Sequence, residues 1–206
     1  MHGGLGAHIF AWFWAHYNGL LEKTYGELKD GLFQGIQGEV LEIGPGAGIN
    51  LRHYPKHVHV IGVEPNPHMH KYLRKAAEES GIALSLQNGH AEELHAESAS
   101  MDAVISTLVL CSVDDVARAL QEIRRVLKPG GRFYFIEHVA APRGTFLRRT
   151  QDFIAPLWRH IGDGCNPNRE TWRYLEEAGF AALDFRPERI SPIPLVAPHI
   201  VGTATK

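Results

Sequence analysis

Residues Val40 to Gly48 read VLEIGPGAG, and this stretch decides the fold. Val40, Leu41 and Ile43 form a short apolar run that ends in glycines at alternate positions, Gly44, Gly46 and Gly48. The pattern predicts a buried strand feeding a tight turn. Glycine in such a turn permits positive φ and lets bare main chain approach a bound molecule. Strand, glycine turn and helix together open a nucleotide-binding α/β sheet, in which ligands lie beyond the carboxyl ends of the strands.

Spacing narrows the nucleotide. The dinucleotide fingerprint needs Gly or Ala five positions after its first glycine, and counting from Gly44 that position is Ile49, too large for close helix-to-strand packing. The GxxxxGK phosphate loop does not occur. NAD binding and NTP hydrolysis are both disfavoured.

Working outward, VHVIGVE at Val58–Glu64 reads as a second buried strand closed by a carboxylate. Glu64 follows Glu42 by close to the roughly 20 residues at which these folds place an acid on ribose hydroxyls. A carboxylate accepts from vicinal hydroxyls and repels a 2′-phosphate. Asn66 and Pro67 read as a helix cap and first turn, Met69, Tyr72, Leu73, Ala76 and Ala77 as the apolar stripe, and Gly81 as the stop. ALSLQ from Ala83 is the third strand and MDAVISTLVL from Met101 the fourth. Val116, Leu120, Ile123 and Leu127 mark a helix, and KPGG at Lys128–Gly131 turns into a fifth strand, RFYFIEHV. Asn168 is read as the cap of a last helix, RETWRYLEEAG, before FAALDF and HIVGTATK close the sheet as an antiparallel pair.

The 206 residues carry a formal charge of −2 and no Lys/Arg run, which argues against a nucleic-acid partner. Two cysteines without CxxC spacing fit a reducing compartment, the cytoplasm by default. IFAWFWA at Ile9–Ala15 is apolar and aromatic but far short of the about 20 residues of a membrane span, and it lacks the flanks of a signal peptide. It reads as part of an amphipathic helix over 5–28 that packs on the sheet or closes the pocket with Trp12, Phe13, Trp14 and Tyr17. Peripheral membrane contact is possible in principle and not expected, because a basic polar face is lacking. Composition says nothing of oligomeric state.

The string E-x-G-x-G-x-G from Glu42 to Gly48, together with Glu64, the fourth strand and RRVLKPGG, resembles the class I S-adenosylmethionine (SAM) dependent methyltransferases. LEIGPGAGINLRHYP, EPNPHM, STLVLCSV, EHV and WRHIGDGCNPNRETW are similar, more narrowly, to the methyltransferase-like 7 family of microsomal alkyl thiol S-methyltransferases. The departure is at the front, where that family carries a long apolar anchor. The resemblance implies an α/β, Rossmann-like sheet of seven strands with helices on both faces, and SAM as cofactor. By length the chain is read as a single domain, with an N-terminal cap helix (1–37), a cofactor core (38–139), a substrate lid (140–168) and a C-terminal helix with an antiparallel strand pair (169–206). The cofactor residues it implies are Glu42, Gly44, Pro45, Gly46 and Gly48 around the turn, Glu64 and Pro65 at the ribose, and Thr107 and Leu108 beside the sulfonium. In the family the turn after the third strand often reads GDAE. Here GHAE puts His90 in place of the acid and leaves the Ala91 backbone to read the adenine edge.

An activated methyl donor asks for little beyond a nucleophile held in line, and a thiol acceptor with pKa about 8.5 must also lose a proton. His160 and His138 are the candidate bases, and Asp163 would meet His160 at i, i+3 if that segment is helical. Cys165 reads as structural, since direct transfer needs no covalent intermediate. No metal site is expected. His68 and His70 diverge on a helix, and His57 and His59 could share a strand face but lack evident further metal ligands beside them. The expected partner is a small apolar acceptor, preferably a thiol. The alternatives are O-, N- or C-methylation of a quinone or natural product, and a SAM-binding protein without transferase activity.

Overall fold

Leu41 and Ile43 pack on one side of the sheet while Val40 packs on the other, and every central strand repeats that alternation. The computed structural model describes residues 22–162, 164–191 and 193–206. Its strands are β1 Glu39–Ile43, β2 His59–Val63, β3 Ala83–Gln87, β4 Met101–Thr107, β5 Leu127–His138, β6 Ala182–Arg189 and β7 Pro198–Thr205. They form one seven-stranded sheet in the order β3-β2-β1-β4-β5-β7-β6. β1 to β5 run parallel and β7 lies antiparallel to both β5 and β6. The strand order therefore reverses between β1 and β4, which opens the ligand crevice of such sheets above their carboxyl ends.

Helices cover both faces. Residues 22–33 (α1) and His70–Ser80 (α2) lie on one side, where Phe33 and Leu73 meet Val40, Val60, Ile105 and Tyr134. Val116–Val126 (α3) and Thr171–Glu177 (α5) cover the other, where Leu120, Ile123 and Leu175 meet Leu41, Val104, Phe133 and Phe135. Most of these side chains are fully buried. At about 1.5–3 kcal/mol for each, they dominate the cohesion of the domain. Phe146–Ile161 (α4) occupies the segment expected to form a lid and leaves Phe146, Phe153, Leu157 and Ile161 exposed.

Several local readings need correction. Asn66 does not open α2 directly: its side chain accepts from His68 N–H at 3.0 Å, capping a turn before the helix begins at His70. Asn168 does not cap α5. Glu170 stands at that position, and the Asn168 amide donates to Asp152 at 2.9 Å. β5 starts earlier than expected, at Leu127, because Met101 pairs with Leu127 and Ala103 with Arg132, so Lys128–Gly131 loop out of an otherwise continuous ladder. α1 runs to residue 33, and the aromatic residues Trp12, Phe13, Trp14 and Tyr17 lie outside the described residues.

Candidate active site

The glycine turn sits at the carboxyl end of β1, at the reversal point. Gly44 N–H donates to Val63 O at 2.9 Å, which ties the turn to β2. Gly48 has φ +82°, and a Cβ there would lie 2.8 Å from Ala76 Cβ and 2.9 Å from Leu73 Cδ1. It is the position of close approach to α2. Gly46 has φ +56°, and a Cβ there would meet nothing within 4 Å. One glycine is needed for packing, the other for a backbone bend over open space.

Glu64 leaves the end of β2 and reaches across the turn. Its two carboxylate oxygens accept from Gly46 N–H and Asn66 N–H, both at 2.9 Å, and the residue is 5 % exposed. These two backbone bonds fix the orientation of the carboxylate. Pro65 follows it, partly buried, and Pro45 is buried under the turn.

Glu42 lies below the turn. It is buried, and its Oε1 accepts from Asn50 Nδ2 at 2.7 Å while the same amide donates to Thr107 Oγ1 at 3.0 Å. Asn50 thus joins β1, the turn and the end of β4, a role with no signature beyond a polar residue in an apolar stretch. Burial pushes the Glu42 carboxyl up to about 7, opposed by Tyr54, Asn50 and Lys29 beside it. Burial also brings the Lys29 ammonium, inserted from α1, down to about 8. Among the described residues, Glu42 Oε2 and Asn50 Oδ1 are buried acceptors without a hydrogen-bond partner. An open glycine bend, two orphaned acceptors beneath it and an oriented carboxylate fit a nucleoside carrying an amino-acid tail.

Past β4 the chain turns at Leu108, whose φ of +61° is costly for a side chain of that size. The bend is held by Leu108 N–H to Ile136 O at 2.9 Å and Val109 N–H to Glu137 Oε1 at 3.1 Å. Glu137 is fully buried and also accepts from Ser106 Oγ, and burial holds its carboxyl above the usual range. This turn carries Cys111 back toward the end of β5. There His138 Nε2 lies 2.8 Å from Cys165 Sγ, and the donor atoms of Cys111, His138 and Cys165 lie within 4.8 Å of one another. Cys165, on the loop after α4, also accepts from Trp158 Nε1–H at 3.2 Å. Burial pulls His138 down, and Cys111 and Glu137 outweigh it to leave the imidazole above its ordinary range.

The remaining predicted site residues are more dispersed. His90 is exposed in the turn after β3, bridged to Glu93, and Ala91 is buried beside it. His160 is exposed on α4, and Asp163 lies outside the described residues. Of the two proposed acid–base residues that the structure describes, His138 is buried at the strand ends and His160 is exposed. The sequence carries no signal for the cluster of two thiols and an imidazole, because its members come from three separated segments with no motif spacing. Among the described residues no helix is long and apolar enough to cross a membrane.

Comparison with known proteins agrees with this geometry. Residues 41–135 match the family model described as a methyltransferase domain. A SAM-dependent methyltransferase from Thermotoga maritima, a possible histamine N-methyltransferase, superposes with a TM-score of 0.68 over 97 % of this chain and 98 % of that one, at 24 % identity. The [4+2]-cyclase SpnF gives 0.71 over 97 % and 95 %, at 17 % identity, so the fold alone does not fix the reaction. Fold and glycine turn together define a class I SAM-dependent methyltransferase, with SAM as methyl donor. Sequence goes further. The thiol S-methyltransferase TMT1B of Rattus norvegicus is 41 % identical over 192 residues, 89 % of this chain and 77 % of its own length. TMT1A of Homo sapiens is 38 % identical over 203 residues, 92 % and 81 % respectively. The chain belongs to the thiol S-methyltransferase family.

Proposed function

We propose that the protein methylates the sulfur of a small apolar thiol, in a reducing compartment such as the cytoplasm. The observation that carries this reading is Glu64 fixed across the open Gly46 bend, in a chain that shares most of its length with proteins named for thiol methylation. Gly44, Pro45, Gly46 and Gly48 cradle the amino-acid tail, and the buried acceptors of Glu42 and Asn50 complement its ammonium group. Glu64, with Pro65, takes the ribose hydroxyls. Ala91 and His90 border the adenine, and Thr107 and Leu108 border the sulfonium. Bound there, SAM supplies an electrophilic methyl group.

The protein's remaining task is to hold the acceptor in line and in its anionic form. Orientation of this kind can lower a barrier by roughly 7–11 kcal/mol. The buried end of β5, where His138 stands beside Cys111 and Cys165, is the acceptor end of the crevice. Free cysteines in that position fit a reducing environment.

Two measurements test the reading. Glu64→Ala is expected to weaken calorimetric SAM affinity about 100-fold, about 3 kcal/mol, since charge-assisted hydrogen bonds contribute roughly 1.5–3 kcal/mol each. Unchanged affinity displaces the pocket. Labelled SAM offered with parallel panels of alkyl thiols, phenols and amines is expected to label thiols, and turnover confined to phenols or amines removes the thiol assignment.

A further inference from the structure

Cys111, His138 and Cys165 reach one point from three parts of the chain: the loop after β4, the last residue of β5 and the loop after α4. Their convergence is built by the surrounding main chain. Asn166 N–H donates to Cys111 O at 2.9 Å and the Asn166 side-chain amide donates to the same oxygen at 3.1 Å, stitching the two cysteine loops together. Arg169 Nη1 donates to Leu110 O at 2.6 Å and to Val113 O at 2.7 Å, holding the Cys111 loop closed from the far side. Cys111 and His138 are 2 % and 5 % exposed. His138 Nδ1 is a buried nitrogen without a hydrogen-bond partner among the described residues.

Two soft sulfur donors and one imidazole are a ligand set for a thiophilic cation. With metal–sulfur bonds of about 2.3 Å and metal–nitrogen bonds of about 2.0–2.1 Å, tetrahedral ligands stand roughly 3.5–3.8 Å apart. The three donor atoms all lie within 4.8 Å of one another, close to that spacing. Trp158 Nε1–H on Cys165 Sγ is an outer partner of the type that steadies a metal thiolate. The half-buried guanidinium of Arg169 offsets part of the negative charge that two thiolates bring. Three protein ligands leave a tetrahedral ion one open position, the arrangement of sites that bind and activate a ligand rather than merely cross-link a fold.

We propose that Cys111, His138 and Cys165 bind one thiophilic divalent cation, of which zinc is the type, and that its open position takes the acceptor thiol as thiolate. The second half of this statement rests on the thiol-methylation reading. The first half does not. On binding, the two cysteines release their protons to water, and so does the acceptor. A sulfur–carbon bond then forms from the acceptor to the methyl group as the sulfonium's carbon–sulfur bond breaks, its electron pair remaining on the departing sulfur. The neutral thioether product is a weaker ligand than the thiolate and leaves. Methylation thereby becomes possible near neutral pH for thiols that are otherwise mostly protonated.

The test titrates the reduced full-length protein, freed of metal by chelation, with Cd2+ and Co2+. The expected result is one equivalent per chain, with a thiolate-to-metal charge-transfer band for Cd2+ and the intense visible bands of tetrahedral Co2+. Cys165→Ser and His138→Asn should each weaken binding at least tenfold while calorimetric SAM affinity stays at the wild-type value, which shows that the fold survives. Binding without charge-transfer bands, or bands that persist in Cys165→Ser, overturns the site. A Cys111–Cys165 disulfide in place of metal uptake, seen as a 2 Da mass loss that dithiothreitol reverses, overturns it as well. Addition of an alkyl thiol to the Co2+ form should shift its visible spectrum. If the spectrum stays still, or if chelated wild-type protein methylates thiols at the full rate, the open-position role falls and the thiol-methylation reading stands. Failure of that reading is seen separately, in SAM affinity unmoved by Glu64→Ala or in a panel without thiol turnover.

Discussion

The two sides of the crevice are built by opposite means. On the proposed cofactor side, β1, its glycine turn, β2 and Glu64 place backbone groups and one carboxylate within a continuous stretch of about 25 residues. On the proposed acceptor side, Cys111, His138 and Cys165 are separated by 27 residues at each step and meet only after β4, β5 and the α4 loop have packed. A site made of main chain depends on φ angles and on missing side chains. A site made of distant side chains depends on the loops that carry them, and its precision is set by polar bonds to backbone.

Substitutions on each side should therefore fail differently. The largest effect is expected from Gly48→Ala, where the left-handed φ and the contacts with Ala76 and Leu73 act together. A loss of about 3–4 kcal/mol, or roughly 10 °C in melting temperature, should appear by calorimetry. Gly46→Ala faces open space, so only the left-handed strain of about 1 kcal/mol should register in stability while SAM affinity drops more. Equal melting losses for the two variants would dissolve the distinction between a packing glycine and a ligand-facing one.

On the acceptor side, Gln151 of α4 is fully buried and accepts from Ala141 N–H at 2.7 Å while donating to Leu195 O at 2.9 Å. Gln151→Leu strands those backbone groups and should cost about 2–3 kcal/mol in denaturant unfolding while leaving SAM affinity within about twofold. A parallel loss of SAM affinity would mean that the two sides are coupled.

The smallest effect concerns acid. Glu170 is held down to about 2 by Arg143 and then Arg148, with bonds of 2.8–2.9 Å. A carboxyl whose folded pKa is depressed contributes stability that is full above the ordinary value near 4.3 and is lost as pH falls toward 2. Glu170→Gln should flatten the stability profile between about pH 4.5 and pH 2 and move the neutral-pH melting temperature by a few degrees at most. An unchanged acid limb would show that these ion pairs contribute nothing to the acceptor side.

The same contrast explains what could be read from the chain. VLEIGPGAG and the carboxylate closing β2 were legible because their chemistry is local: alternate glycines, an apolar run and a fixed spacing. The seven strands were legible for a similar reason, apart from β5, where the loop-out of Lys128–Gly131 depends on pairing with β4. Asn50 was invisible, since its importance comes from bridging Glu42 and Thr107. Cys165 was read as merely structural because its neighbour His138 lies on another element, and no periodicity reports that contact. Asn168 misled in the other direction. A residue type that commonly caps helices instead ties its loop to Asp152.

The insertion of β7 between β5 and β6 has a consequence for synthesis. β5 carries His138 at its tip, yet the neighbour that completes its outer edge, from Arg132–Thr205 to His138–His199, comes from the chain after β6. The methyl-donor half has all its strands early, whereas β5 and β6 must both wait for the same late arrival. Until that late segment has been made, the outer edge of β5 stays unpaired and is an exposed template for mispairing.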